Sequence, residues 1–117
     1  MALLSTGPVA NDPVNGIRQI QQVTVKIVNR DSANATAILI QGYILDGVRT
    51  LYVLEELVVA PNAVITRNYG ANFNAYEFVF TTSGSAEAST DVSVWGRSGS
   101  GEIIDVQRIV AEEQLEF

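Results

Sequence analysis

Residues 35–60 read ATAILIQGYILDGVRTLYVLEELVVA, two long apolar runs joined by Asp46-Gly47. Asp-Gly between hydrophobic runs is a strong β-hairpin signal, because glycine adopts the positive φ that a tight turn demands. The first run, Ala35 to Leu45, is apolar on both faces of an extended chain, which marks a central or two-sided strand. Gly42 interrupts it, and a glycine inside a strand marks a bulge or a close backbone approach. The second run, Arg49 to Ala60, is longer than a typical strand and is expected to break near Glu55-Glu56.

Period-2 alternation continues on both sides of this hairpin. In QQVTVKIVNR (21–30), Val23, Val25 and Ile27 share one face while Thr24 and Lys26 face away. RDSAN (30–34) is a turn, and Pro61-Asn62 separates the hairpin from a strand in AVITRNY (63–69). NFNAYEFVFTT (72–82) places Tyr76, Phe78 and Phe80 on one face, and SGSAEAS (83–89) is a loop. TDVSVWGR (90–97) turns Val92 and Val94 inward and Trp95 outward; SGSG (98–101) is a hairpin tip before EIIDVQRIVA (102–111). A final helical turn fits Gln107 to Leu115. About eight short strands at this spacing predict an all-β chain. The expected fold is a single antiparallel β-sandwich, jelly-roll or immunoglobulin-like, with an extended N-terminal arm. Residues 1–16 form the arm and 17–117 the sandwich domain.

Composition narrows the chemistry. The 117 residues are 47% hydrophobic and 17% charged, enough for one core and unlike a disordered chain. No stretch approaches the roughly 20 apolar residues of a membrane helix, and the start lacks the pattern of a secretory signal peptide. Net charge is −6, with six Arg, one Lys and no basic cluster, so a nucleic-acid partner is not expected. Cysteine and histidine are absent, which removes disulfides, thiolate chemistry and a His base for a serine nucleophile. Glu55-Glu56 and Glu112-Glu113 are adjacent carboxylates, but strand neighbours point to opposite faces, so neither pair converges on one bond. The sequence therefore predicts no catalytic residue, no cofactor and no metal site. Tyr52, Tyr69 and Trp95 are candidates for an exposed aromatic surface that would stack on sugars.

MALLSTGPVANDPVNGIR (1–18) is the remaining feature. Leu3 and Leu4 make an apolar tip, and Gly7, Pro8, Pro13 and Gly16 resist regular structure. An extended peptide adds to an exposed sheet edge, with backbone hydrogen bonds for affinity and alternate side chains for register. Sixteen extended residues reach roughly 50 Å. Ordering costs about 1–2 kcal/mol per residue, while burying each Leu returns about 1.5–3 kcal/mol. That balance favours docking of the tip alone. The expected self-assembly segment is Leu3, Leu4, Ser5, Thr6, Gly7, Pro8 and Val9, with Val9 to Gly16 as a flexible tether to a neighbouring subunit.

LLSTGPV, VTVKIVNR, LYVLEELVVAPNAVITRNY, YEFVFTTSG and VSVWG together resemble the endospore appendage fibre subunits of spore-forming Bacilli and their exosporium-associated relatives. The resemblance implies a small jelly-roll sandwich whose N-terminal connector, here Met1 to about Gly16, links subunits while strand augmentation joins them sideways. The best-known members carry cysteines in that connector; none is present here, which implies a cysteine-free branch. It also implies a spore-surface or exosporium location, extracellular after mother-cell lysis. The expected function is thus a non-enzymatic, self-assembling fibre subunit, a homopolymer with a spore-surface anchor or tip protein as a further partner. The alternative is a monomeric carbohydrate- or protein-binding sandwich module.

Overall fold

The computed structural model describes residues 2–84 and 89–110. Among the described residues nine strands follow one another: β1 (Ala2–Ser5), β2 (Val9–Ala10), β3 (Gln22–Asn29), β4 (Thr36–Asp46), β5 (Val48–Val59), β6 (Val64–Gly70), β7 (Ala75–Ser83), β8 (Thr90–Arg97) and β9 (Ile103–Val110). They form two antiparallel sheets. One runs β1-β7-β4-β5, with β2 also paired to β7, and the other runs β6-β3-β8-β9. The chain is all-β, and the two sheets pack as a sandwich, as the alternation predicts.

The inward phases of the strands make the core. Val23, Val25 and Ile27 of β3 and Val92 and Val94 of β8 face Ile38 and Ile40 of β4 and Tyr76, Phe78 and Phe80 of β7, all buried. Phe78 sits at the centre of an aromatic group, 6.1 Å from Tyr76, 6.4 Å from Phe80, 5.6 Å from Tyr69 and 6.1 Å from Tyr52 between ring centroids.

Both readings of Gly42 hold. The β4–β5 register shifts between Gly42 and Tyr43, a bulge. A Cβ at Gly42 would also stand 2.9 Å from Phe78 and 3.0 Å from the Val53 Cβ, so only glycine lets Phe78 occupy the core centre. The turn falls at Gly47, with φ of 76°. The expected break at Glu55-Glu56 does not occur: β5 is one strand of 12 residues. The bulge absorbs the curvature that a long strand accumulates, so pairing continues to Val59. The helical turn expected from Gln107 is replaced through Val110 by β9, which completes the β8 hairpin; its remainder lies outside the described residues.

The N-terminal arm is folded onto its own chain. β1 pairs antiparallel with β7, Leu4 opposite Phe80, and β2 pairs farther along the same strand. Leu4 is fully buried and belongs to the same core cluster as Ile20, so the division at residues 16 and 17 falls inside one packed unit. The stretch read as a tether is pinned as well. Asn11, buried, donates from Nδ2 to the carbonyls of Ile20 and Ala71 (2.7 and 3.0 Å), and its Oδ1 accepts the Ile20 N–H at 3.1 Å. Asn15 and Gly16, with φ of 53° and 79°, form a tight turn closed by the Val14–Ile17 bridge. The physical reason is economy. β7 has a free edge within reach, so Leu4 is buried without any second chain.

Candidate functional site: the β5 edge and its outer face

β5 forms one edge of its sheet. Edge strands are normally blunted by shortness, lysine or proline, because a bare ladder templates another chain. β5 has 12 residues and contains neither lysine nor proline; of its charged side chains, Arg49 and Glu55 are ion-paired within the chain and Glu56 is exposed. It also concentrates exposed apolar side chains. Val48, Leu51, Leu54 and Val58 are four of the ten large exposed hydrophobics among the described residues, with Leu54 64% and Val58 70% accessible. The opposite edge is carried by β1, four residues long.

The register shows what lies beside these side chains on the solvent face. Gln41 and Val79 continue the row of Leu54 to Ser5; Leu39 and Thr81 link Glu56 to Leu3; Tyr43 joins Leu51 to Glu77. Leu3 is 56% exposed, while Val79, though on the outer face, is buried beneath its neighbours. The two-sided apolar character of residues 35–45 therefore has a concrete meaning: β4 is interior to its sheet, and its second apolar phase lies on a solvent-facing surface. Near the hairpin Arg49 closes that surface, its guanidinium 3.6 Å from the Tyr43 ring centroid and its Nε donating to Glu77 Oε1 at 3.1 Å.

On the inward side of the same edge, polar groups seal the seam between β5 and β6. Tyr69 donates to Glu55 Oε1 at 2.6 Å, and Arg67 Nε donates to Glu55 Oε2 at 3.0 Å. The Tyr69 hydroxyl and the Arg67 guanidinium hold the Glu55 carboxyl below the usual carboxylate range. Burial, reinforced by Glu55, raises the Tyr69 hydroxyl above its ordinary value. Tyr52 is raised chiefly by burial, and its hydroxyl donates to the Gly70 carbonyl at 2.7 Å. The carboxylate pair separates as alternation requires, with Glu55 in this seam and Glu56 exposed on the outer face.

The three aromatic candidates do not meet. Tyr52 and Tyr69 both pack against Phe78 at the sandwich seam, whereas Trp95 lies on the outer face of the other sheet, opposite Thr24. Of the arm residues, Leu4 is core and Leu3 is exposed. Ser5 donates to Glu77 Oε2 at 3.3 Å and accepts the Gly7 N–H at 2.9 Å. Thr6 is fixed to Phe78 through its N–H and its Oγ1 (3.0 and 3.1 Å). Pro8 is exposed and Val9 packs against the core. Sequence reasoning did not place Glu55 and Arg67 together. The signal was present, since Glu55 shares its phase with Val53 and Leu57, and Arg67 shares its phase with Ile65 and Tyr69.

No protein-family model matches the sequence, and no curated protein matches it. Among solved structures, the fold is similar to that of Thermotoga maritima 1070, with a TM-score of 0.58 at 10% identity over 97% of this chain and 96% of that one. A second similar chain is the Anabaena sensory rhodopsin transducer, with a TM-score of 0.44 at 14% identity over 92% and 91% of the two chains. At these identities the likeness concerns the fold alone.

Proposed function

We propose that the protein is a non-enzymatic structural subunit that associates with copies of itself, and that β5 is the primary contact. The observation that carries this reading is the long β5 edge, unpaired among the described residues, without lysine or proline and bearing exposed Leu51, Leu54 and Val58. Antiparallel pairing of β5 with the β5 of a second copy is isologous and continues one sheet through both subunits. Twelve residues at about 3.4 Å each give an edge of roughly 40 Å. Each backbone hydrogen bond formed contributes about 0.5–1.5 kcal/mol. The exposed Leu51, Leu54 and Val58 side chains on β5 then meet those of the partner strand, so apolar burial adds to backbone pairing.

The second contact is β1, at the opposite edge of the same sheet, with exposed Leu3 on its outer phase. Two different isologous contacts at opposite edges alternate along the assembly, and where their two-fold axes do not close a ring the product is a fibre. The resemblance to endospore appendage subunits supports this reading and a spore-surface setting. The arm takes a role different from the connector that the resemblance implies: the segment covers β7 of its own chain and offers its outer side to the next subunit.

The test is the mass of the protein in solution. The wild-type chain is expected as dimers and longer species, and Leu54→Glu/Val58→Glu as monomers and β1-linked pairs with nothing longer and with unchanged β circular dichroism, since both side chains are exposed. Leu3→Glu is expected to stop growth at the pair. Species longer than a pair in the double variant overturn the β5 assignment.

A further inference from the structure

The outer face of the β6-β3-β8-β9 sheet has a different character. Of the six basic side chains described, Arg30, Arg49 and Arg67 are ion-paired with Asp91, Glu77 and Glu55. Arg18 donates to Asn72 and Asn74. Lys26 and Arg97 remain, with no carboxylate partner among the described residues, in a chain with 13 acidic residues. Both flank the same side chain: the Lys26 ammonium and the Arg97 guanidinium each lie 5.8 Å from the ring centroid of Trp95, the chain's one tryptophan. That is within cation–π range.

The surroundings hold these groups in place. Arg97 Nε donates to Thr24 Oγ1 at 2.9 Å, and Thr24 in turn donates to Asn68 Oδ1 at 2.7 Å. Trp95 Nε1 donates to Ser93 Oγ at 3.0 Å. Lys26 lies between Ser93 and Thr66 in the register, and its ammonium makes no hydrogen bond among the described residues. β3 and β8 are paired on both sides, so their backbones have nothing to offer a peptide strand. Recognition here rests on side chains alone: two cations, one indole and a ladder of hydroxyl and amide groups.

We infer that the Lys26–Trp95–Arg97 face binds an acidic polysaccharide, with the two cations taking sugar carboxylates and the hydroxyl and amide groups taking ring hydroxyls. This site lies on the sheet opposite β5 and does not depend on self-association. Charge-assisted hydrogen bonds of this kind are the strong ones, and a partly exposed site of them weakens with salt.

The experiment titrates the Leu54→Glu/Val58→Glu chain with oligogalacturonate and follows Trp95 fluorescence, with calorimetry as a readout independent of the fluorophore. The comparison ligands are methyl-esterified oligogalacturonate and poly-glutamate. Saturable binding of the free acid is expected, with at least about tenfold weaker binding of the ester and of Lys26→Gln or Arg97→Gln. Lys26→Gln removes no hydrogen bond of the fold, so its loss of binding reads the site. Absence of saturable binding, equal binding of poly-glutamate, or unchanged binding by Lys26→Gln overturns the assignment. Should the double variant still assemble, the titration is run on the wild-type chain, where the same outcomes support or overturn the site.

Discussion

Leu4→Ala separates an arm that is part of the fold from one that merely rests on it. Leu4 is fully buried opposite Phe80, while its neighbour Leu3 is 56% exposed on the other face of the same strand. Truncating a buried leucine costs about 2–5 kcal/mol, the lost transfer energy plus the cavity left behind. An exposed position typically changes stability by about 0.5 kcal/mol or less. Against a total of about 5–15 kcal/mol, the Leu4 loss is a large fraction. Urea unfolding followed by Trp95 fluorescence reports the loss from the opposite sheet, so a shift there measures the whole unit rather than local fraying. Done in the Leu54→Glu/Val58→Glu background at a concentration where sedimentation shows monomer, the midpoint for Leu4→Ala should fall well below that of Leu3→Ala. Equal midpoints for the two variants would refute the placement of Leu4 in the core.

Two further outcomes follow from the geometry. Gly42→Ala places a methyl 2.9 Å from Phe78 and 3.0 Å from Val53, and overpacking of this kind should cost about 1–3 kcal/mol in the same unfolding assay. Glu55, whose folded-state pKa is depressed by Tyr69 and Arg67, binds its proton more readily when unfolded. Its contribution to stability is therefore complete above the ordinary glutamate pKa and is lost as pH falls through that value toward the lower folded one. Asp31, held low by the N–H groups of Ala33 and Asn34, titrates in the same sense. The difference between wild-type and Glu55→Gln stability should consequently shrink as pH drops from about 5 to 3; a constant difference would contradict the seam described for Glu55.

The sandwich was legible because its signals are local. Alternation in residues 22–29, 75–83 and 90–97, the Asp46-Gly47 turn and the Gly42 bulge depend on neighbours a few positions apart. The arm was not legible for the opposite reason. β1 and β2 are four and two residues long, separated by Thr6, Gly7 and Pro8, and their partner β7 lies more than sixty residues away. Sequence showed that Leu4 would seek burial but not that β7 would offer an edge on the same chain. Asn15-Gly16 was a turn signal of the same kind as Asp46-Gly47, and it argued against a tether. The candidate site was half visible. The second apolar phase of residues 35–45 was readable, but whether another layer covered it depended on which sheet faced solvent. Trp95 was correctly placed outward, yet its separation from Tyr52 and Tyr69 follows from strand order, which alternation does not encode.

Sedimentation velocity of the wild-type chain across a range of concentrations tests self-association most directly. Species at twice the 12.6 kDa chain mass and above are expected, growing with concentration and limited to no more than a pair by Leu54→Glu/Val58→Glu. A single 12.6 kDa species at every concentration would contradict self-association through β5.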